Sequence, residues 1–372
     1  MSQSNEDAAV VPDTIRTAVA SIMPPDRQWE AHAADRQALL TMPPGSLGRL
    51  LELGRQLAGL QQTDRPEGHP ALIAVFAADH GVAGEGVSAY PSEVTGQMVA
   101  NYLRGGAAVN VLARRAGATV RVADLGVTHW PAEVESHEAL VRCPIAPGTA
   151  NLLHGAAMSR ADAFRAFDTG LNLADRWIGE DGPRVVALGE MGIGNSTTAA
   201  ALIAALTGTS ATDVVGRGTG VDDRGLVRKR DVVAQAVRRH TSNLRDDWDC
   251  FARLGGFEIL GLAGLAIGAA KRRALVVLDG LISTCAGLVA VRICPPVRDY
   301  LVAAHRGTEP GHRVALAALG LMPLLNLDLR LGEGTGAALA LPLIASAGDI
   351  LRDMATFDSA GVSGPSSSSG HA

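Results

Sequence analysis

Chemistry in this chain gathers where glycines and carboxylates alternate. The run Gly189-Glu190-Met191-Gly192-Ile193-Gly194-Asn195-Ser196-Thr197-Thr198 joins a short apolar stretch to an alanine-rich segment. Glycines at such a turn let backbone N–H groups approach an anion, and the helix start that follows favours negative charge. Against the phosphate-loop pattern Gly189, Gly194 and Ser196 fall in register, but Asn195 stands where the lysine belongs. That lysine neutralises the β/γ-phosphates, so its loss argues against an ATPase. A cradle for one phosphate monoester remains, beside the plainer alternative of a βα turn shaped by packing. The second run is Leu331-Gly332-Glu333-Gly334-Thr335-Gly336. A carboxylate between glycines can approach a ligand closely, and desolvation there raises its pKa into the range of a useful base. Glu333 fits equally well as the cap of a helix beginning near Gly336.

A third cluster starts at Asp79-His80-Gly81 and continues through Gly84-Glu85-Gly86-Val87-Ser88-Ala89-Tyr90-Pro91 to Thr95-Gly96-Gln97. Glycine, aromatic and small polar residues on one long loop suit a flat heterocycle. Asp79 and His80 alone read as structural. The histidines His80, His305 and His312 lack zinc-type spacing, and nothing implies a metal or a cofactor. Gly216-Arg217-Gly218-Thr219-Gly220-Val221-Asp222-Asp223 forms a further turn, with Lys229 beyond it. The tandem aspartates do not make a diphosphate-sugar motif, because they follow a glycine turn and precede Arg224. By itself Lys229 reads as a solvated helix residue.

These turns need strands and helices to hold them. Apolar runs at 71–77, 119–125, 184–188, 274–278, 301–304 and 324–331 each end in a turn, and helical patterns separate them. Continuous rather than alternating apolar runs predict a buried parallel sheet of βα units, an α/β fold. Ligands of open α/β sheets sit beyond the carboxyl ends of the strands, where all these turns fall. Before them, residues 12–60 read as helices broken at Pro24-Pro25 and Pro43-Pro44, with Asp13 and Ser46 as N-caps and Leu50, Leu53, Leu57 and Leu60 as one apolar stripe. The ends, 1–11 and 361–372, read as disordered.

Composition narrows the class. Of 372 residues 47% are hydrophobic and 19% charged, which suits a globular chain. There are 43 glycines, against roughly 26 in an average protein of this length. A net charge of -5 and 3% aromatic residues speak against nucleic acid as a partner. The four cysteines, Cys143, Cys250, Cys285 and Cys294, form no C-x-x-C pair and fit a reducing cytoplasm. The apolar run Ile259 to Ala270 is too short for a membrane span of about 20 residues, and the polar first residues do not resemble a secretory signal.

Taken together, the motifs resemble the nicotinate-nucleotide:dimethylbenzimidazole phosphoribosyltransferases of the cobalamin lower-ligand pathway. The resemblance runs from about Pro44 to Ser363. It rests on P-P-G-S-L-G-R-L at 43–50, D-H-G-V-A-G-E-G-V-S-A-Y-P at 79–91, G-E-M-G-I-G-N-S-T-T at 189–198 and G-R-G-T-G-V-D-D at 216–223. E-P-G-H at 309–312, L-G-E-G-T-G-A-A-L at 331–339 and M-A-T-F at 354–357 complete it.

The resemblance implies phosphoribosyl transfer from nicotinate mononucleotide to 5,6-dimethylbenzimidazole, giving α-ribazole 5′-phosphate with inversion. It makes Glu333 the general base and places Glu190 beside the sugar. Gly192, Gly194 and Asn195 would hold the 5′-phosphate, helped by Lys229, Gly218, Thr219 and the Asp279-Gly280 turn. Ser88, Tyr90, Pro91 and Gln97 would line the benzimidazole pocket. It implies a Rossmann-like sheet over 66–339, a small helical domain from 12–65 plus about 340–360, and a homodimer. Gly307 stands where the family commonly has serine, and Met42 where a lysine is frequent. Two other readings fit the same motifs: transfer to another lower-ligand base such as adenine or a phenol, and a non-catalytic nucleotide sensor.

Overall fold

The computed structural model describes residues 10–364 except 133, 135, 180, 181 and 243, so residues 1–9 and 365–372 of the expected disordered ends lie outside it. The chain forms two compact units, one of Met1–Met23 with Pro70–Ala340, the other of Pro24–His69 with Leu341–Ala372. The helix Asp13–Ala20 thus goes with the larger unit, where Ile15 and Ala18 are buried.

The larger unit is built on one parallel six-stranded sheet in the order β3-β2-β1-β4-β5-β6. Its strands are β1 (Ala71–Ala78), β2 (Thr119–Gly126), β3 (Leu140–Arg142), β4 (Val185–Met191), β5 (Leu275–Leu278) and β6 (Leu301–Ala303). Every residue of β1, β4, β5 and β6 is buried, as continuous apolar runs demand of strands covered on both faces. The run 324–331 is not a strand. It makes one bridge, Leu325 to His305, then Asp328 turns into the left-handed region at φ 53° and Leu327 and Leu331 face outward. The sixth strand is instead β3, a three-residue edge segment too short and too exposed to carry an apolar signature.

Strand order reverses between β1 and β4, the switch point where open α/β sheets bind ligands. One helix, Phe257–Lys271, is buried along nearly its whole length against the sheet and the helix Arg160–Ile178. Glycine permits that contact, since a Cβ on Gly170 would lie 1.9 Å from the Gly261 carbonyl oxygen. This buried helix accounts for the apolar run at 259–270. Among the described residues no helix is long and apolar enough to cross a membrane.

In the smaller unit the helices Arg27–Leu39 and Arg49–Gln61 pair, and Met42 packs in an apolar cluster with Leu40 and Leu51. The N-caps differ from expectation. Pro12 and Gly48 occupy the cap positions in place of Asp13 and Ser46, and neither supplies a side-chain cap.

Candidate active site

The expected turns converge at the carboxyl edge of the sheet. Glu190 is the penultimate residue of β4, Asp279 follows β5 directly, His305 follows β6 and His80 follows β1. Glu333 reaches the same place from the segment before the helix Thr335–Asp353. Its backbone sits in the left-handed region at φ 64°, between Gly332 at φ 85° and Gly334 at φ 88°. That turn cannot be loosened by larger residues. A Cβ on Gly332 would lie 2.4 Å from Glu190 Oε1, and one on Gly189 would lie 2.6 Å from the Glu333 carbonyl oxygen.

Glu190 and Glu333 are each 7% exposed. The Glu333 N–H donates to Glu190 Oε1 at 3.4 Å, and the Asn195 amide donates to Glu190 Oε2. Burial, reinforced by the charge of Asp279, pushes the Glu190 carboxyl up to about 8 against the pull of Asn195. Burial pushes Glu333 up to about 7, while the Tyr102 phenol beside it pulls the other way. Both carboxyls therefore exchange protons near neutrality, the range in which a base is efficient.

Asp279 settles whether Glu333 is a helix cap. Its Oδ1 accepts from the Ala337 N–H at 2.8 Å and its Oδ2 from the Gly334 N–H at 3.1 Å. The start of the helix Thr335–Asp353 is thus satisfied from β5, and the Glu333 side chain is left for other work.

A second cluster is cationic. Lys229 is 0% exposed, so its expected place on a solvated helix face is overturned. It lies on the buried stripe of the helix Asp223–Thr241 with Val232, Val233 and Ala236. Its Nζ donates to Ser196 Oγ at 2.9 Å, and burial pushes its ammonium down to about 8. Gly218 lies against it, since a Cβ there would be 2.9 Å from Nζ, and the Gly218 N–H donates to Glu309 Oε1 at 2.9 Å. Gly194, at φ 96°, opens the helix Asn195–Thr207, and Gly192 is so tight that a Cβ would lie 2.3 Å from the Ala78 carbonyl oxygen. A buried ammonium, a hydroxyl and a helix start together suit an anion.

The remaining expected residues divide. Ser88 is half-buried and accepts from the Tyr90 N–H at 3.2 Å, while Tyr90, Pro91, Gln97 and Thr219 are exposed. Gly280 opens the helix Leu281–Ile293. His80 is structural, with Nε2 2.9 Å from Glu258 Oε1 and Nδ1 2.9 Å from Thr198 Oγ1. Asp79 likewise accepts from Thr128 N–H and Oγ1. The Gly307 N–H donates to His312 Nδ1 at 3.1 Å, and a Cβ there would lie 2.8 Å from that atom, so glycine suits this loop. His312 is pushed down to about 3 by burial and by His305, which agrees with a neutral ring accepting at Nδ1.

Tyr102 and Glu258 escape a reading by motif, and Glu309, though it heads E-P-G-H, was given no role by it. Tyr102 had one available signal: it lies seven residues after Thr95, which accepts from the Ile193 N–H, on one buried face of the helix Glu93–Leu103. Among the described residues no group of three or more His, Cys, Asp or Glu could hold a metal ion, and the four cysteines are free thiols.

A parallel sheet with a buried ammonium and paired buried carboxylates at its carboxyl edge is the architecture of an α/β enzyme for a small molecule. The comparisons make this particular. The model of the DBI_PRT phosphoribosyltransferase family matches residues 22–362. A nicotinate-nucleotide–dimethylbenzimidazole phosphoribosyltransferase of Roseiflexus sp. (strain RS-1) is 50% identical over 346 residues, 93% of this chain and 97% of the relative. One of Salinispora tropica is 48% identical over 355 residues, 92% of this chain and 97% of the relative. The crystal structure of the Thermus thermophilus protein described by the same activity superimposes with a TM-score of 0.85 at 46% identity, covering 91% of this chain and all of that one. The chain belongs to the nicotinate-nucleotide–dimethylbenzimidazole phosphoribosyltransferase family and is an enzyme.

Proposed function

We propose that this enzyme transfers the phosphoribosyl group of nicotinate mononucleotide to 5,6-dimethylbenzimidazole, with Glu333 as the general base. The C1′–N bond to the pyridinium breaks, and its electron pair leaves with nicotinate. No acid is needed, because the ring departs by losing its positive charge. One benzimidazole nitrogen attacks C1′ from the opposite face, inverting the centre and giving α-ribazole 5′-phosphate. The proton on the other ring nitrogen passes to Glu333. The observation that carries this reading is the burial of Glu333, poised near pH 7, at the same sheet edge as the Lys229–Ser196 cradle. General-base help of this kind supplies roughly 10²–10⁴-fold, and holding two flat substrates in line supplies more.

Glu190 lies beside the sugar. Gly192, Gly194, Asn195, Gly218, Thr219, Lys229 and Gly280 hold the 5′-phosphate, each a backbone N–H, a short polar group or the buried cation. Ser88, Tyr90, Pro91 and Gln97 receive the acceptor ring, and the exposure of Tyr90, at 52%, leaves its face available for stacking. The enzyme works in the cytoplasm as a homodimer.

The test is nicotinate release from nicotinate mononucleotide, followed by chromatography with and without dimethylbenzimidazole. Release that requires the base and yields a new ribotide is expected. Release without the base would mean hydrolysis, preference for adenine or a phenol in a mixed-base assay would move the acceptor, and binding without release would mean a sensor.

A further inference from the structure

Glu333 holds a left-handed backbone conformation that L-residues enter only at an energetic cost, so something must keep it there. The neighbouring glycines permit the turn without enforcing it. Enforcement requires partners for the N–H groups of Glu333 and of the turn after it, and the structure supplies them from β4 and from the turn beyond β5. Glu190, on β4, accepts from the Glu333 N–H itself. Asp279, just beyond β5, spans the next turn, taking the Gly334 N–H with one oxygen and the Ala337 N–H with the other. Asp279 is 1% exposed and its two oxygens are engaged within the protein.

We propose that Asp279 is a positioning residue for Glu333, clamping the 333–337 turn so that the catalytic carboxylate is presented in one orientation, in place of a role as a ligand of the nucleotide. The proposal rests on the reading of Glu333 as base. Asp279 also acts through its charge. The groups facing this corner are Glu190 from β4, Glu333, the Tyr102 phenol from the helix Glu93–Leu103, and His305 beyond β6, whose Nε2 lies 3.8 Å from Asp279 Oδ1. Glu258 adds a like charge to Glu190 from the helix Phe257–Lys271. Burial pushes the Asp279 carboxyl above its usual range, while His305 and the N–H groups of the 334–337 turn pull the other way. When ionised, Asp279 raises both glutamates.

The experiment compares full-length Asp279→Asn, Asp279→Ala and Glu333→Gln, each checked for folding by circular dichroism. Losing one of the two acceptors in Asp279→Asn should lower kcat by roughly tenfold. Losing both in Asp279→Ala should lower it on the order of 100-fold, as expected when a reacting group is misplaced by about 1 Å. Donor KM should stay within about twofold in both, since uniform binding is untouched. The acid limb of the kcat–pH profile of Asp279→Asn should move to lower pH, because removing a like charge eases ionisation of Glu333. Hydrogen exchange in the 332–338 segment should quicken in both variants, a readout independent of turnover.

A raised donor KM with kcat intact would overturn the proposal and return Asp279 to the nucleotide. Unchanged exchange at 332–338 would overturn it as well. If Asp279→Ala does not fold, Asp279→Asn carries the test. Normal turnover of Glu333→Gln would instead remove the base reading, while exchange would still decide whether Asp279 clamps the turn.

Discussion

Two corners of one sheet edge treat buried charge in opposite ways. In the first, Glu190, Asp279 and Glu333 come together with one histidine at 3.8 Å, and mutual repulsion adds to desolvation. In the second, Lys229 is withdrawn from water with the Ser196 hydroxyl as its hydrogen-bond partner and Glu309 nearby. Desolvation penalises whichever form is charged, so it raises the acids to about 7 and 8 and lowers the amine to about 8. The outcome is similar on the pH scale and different in use. The acid corner has too much negative charge and gains by taking up a proton; the cation corner has too little and gains by taking up an anion. A reaction that releases a proton from one substrate and holds the phosphate of another matches both needs. The contrast also separates kcat from KM: damage to the acid corner should appear in the chemical step, and damage to the cation corner in donor binding.

The largest break in this comparison is Glu333→Gln, which keeps the shape of the turn and removes the proposed base. It should cost roughly 10²–10⁴-fold in kcat with little change in either KM, as steady-state assays would show. Next is Lys229→Met, which should lower kcat/KM for the donor by about 10–100-fold through loss of a charge-assisted contact, leaving acceptor KM unchanged. Equal losses in kcat for both variants, with KM untouched, would erase the distinction between the corners.

The pH dependence sharpens it further. Glu333 must be ionised to act as a base, so kcat should rise as pH passes through about 7. As the proposed phosphate contact Lys229 must be protonated, so donor kcat/KM should fall as pH passes through about 8. In Lys229→Met that alkaline limb should disappear while the acid limb stays. The smallest effect belongs to Tyr102→Phe. The phenol favours the Glu333 carboxylate, so its removal should shift the acid limb upward and slow turnover at pH 7 by about two- to fivefold, recovered at higher pH.

Much of the site was legible because glycine marks the places where backbone must come close to something else. Glu190 and Glu333 each sit in a glycine-rich turn, and a Cβ on Gly332 or Gly189 would strike one of those two residues. Four of the strands had continuous apolar runs for the same kind of reason, being covered on both faces. The burial of Lys229 was not legible, and only the resemblance singled this residue out. Its neighbours on the helix Asp223–Thr241 include Arg224, Arg228 and Arg230, and a basic helix ordinarily signals a wet face. Tyr102 lies outside any glycine motif and meets the site only through packing, and Glu309, in E-P-G-H, meets the Gly218 N–H only in the folded chain. The expected strand at 324–331 failed because apolar composition alone cannot distinguish a buried strand from a segment that turns outward at Asp328.

Consecutive residues were enough to establish the class of fold and, through several long motifs in order, the family, and they pointed to the turns proposed to carry the chemistry. Those are matters of local composition and spacing. Which partner each turn meets was left to the folded chain. Folding gave the helix start at Thr335 to Asp279 and thereby freed Glu333, withdrew Lys229 from water, and bound His80 to Glu258 across 178 residues of chain. Burial and long-range contact move Glu190, Glu333 and Lys229 away from their ordinary titration ranges, and neither is encoded at any single position.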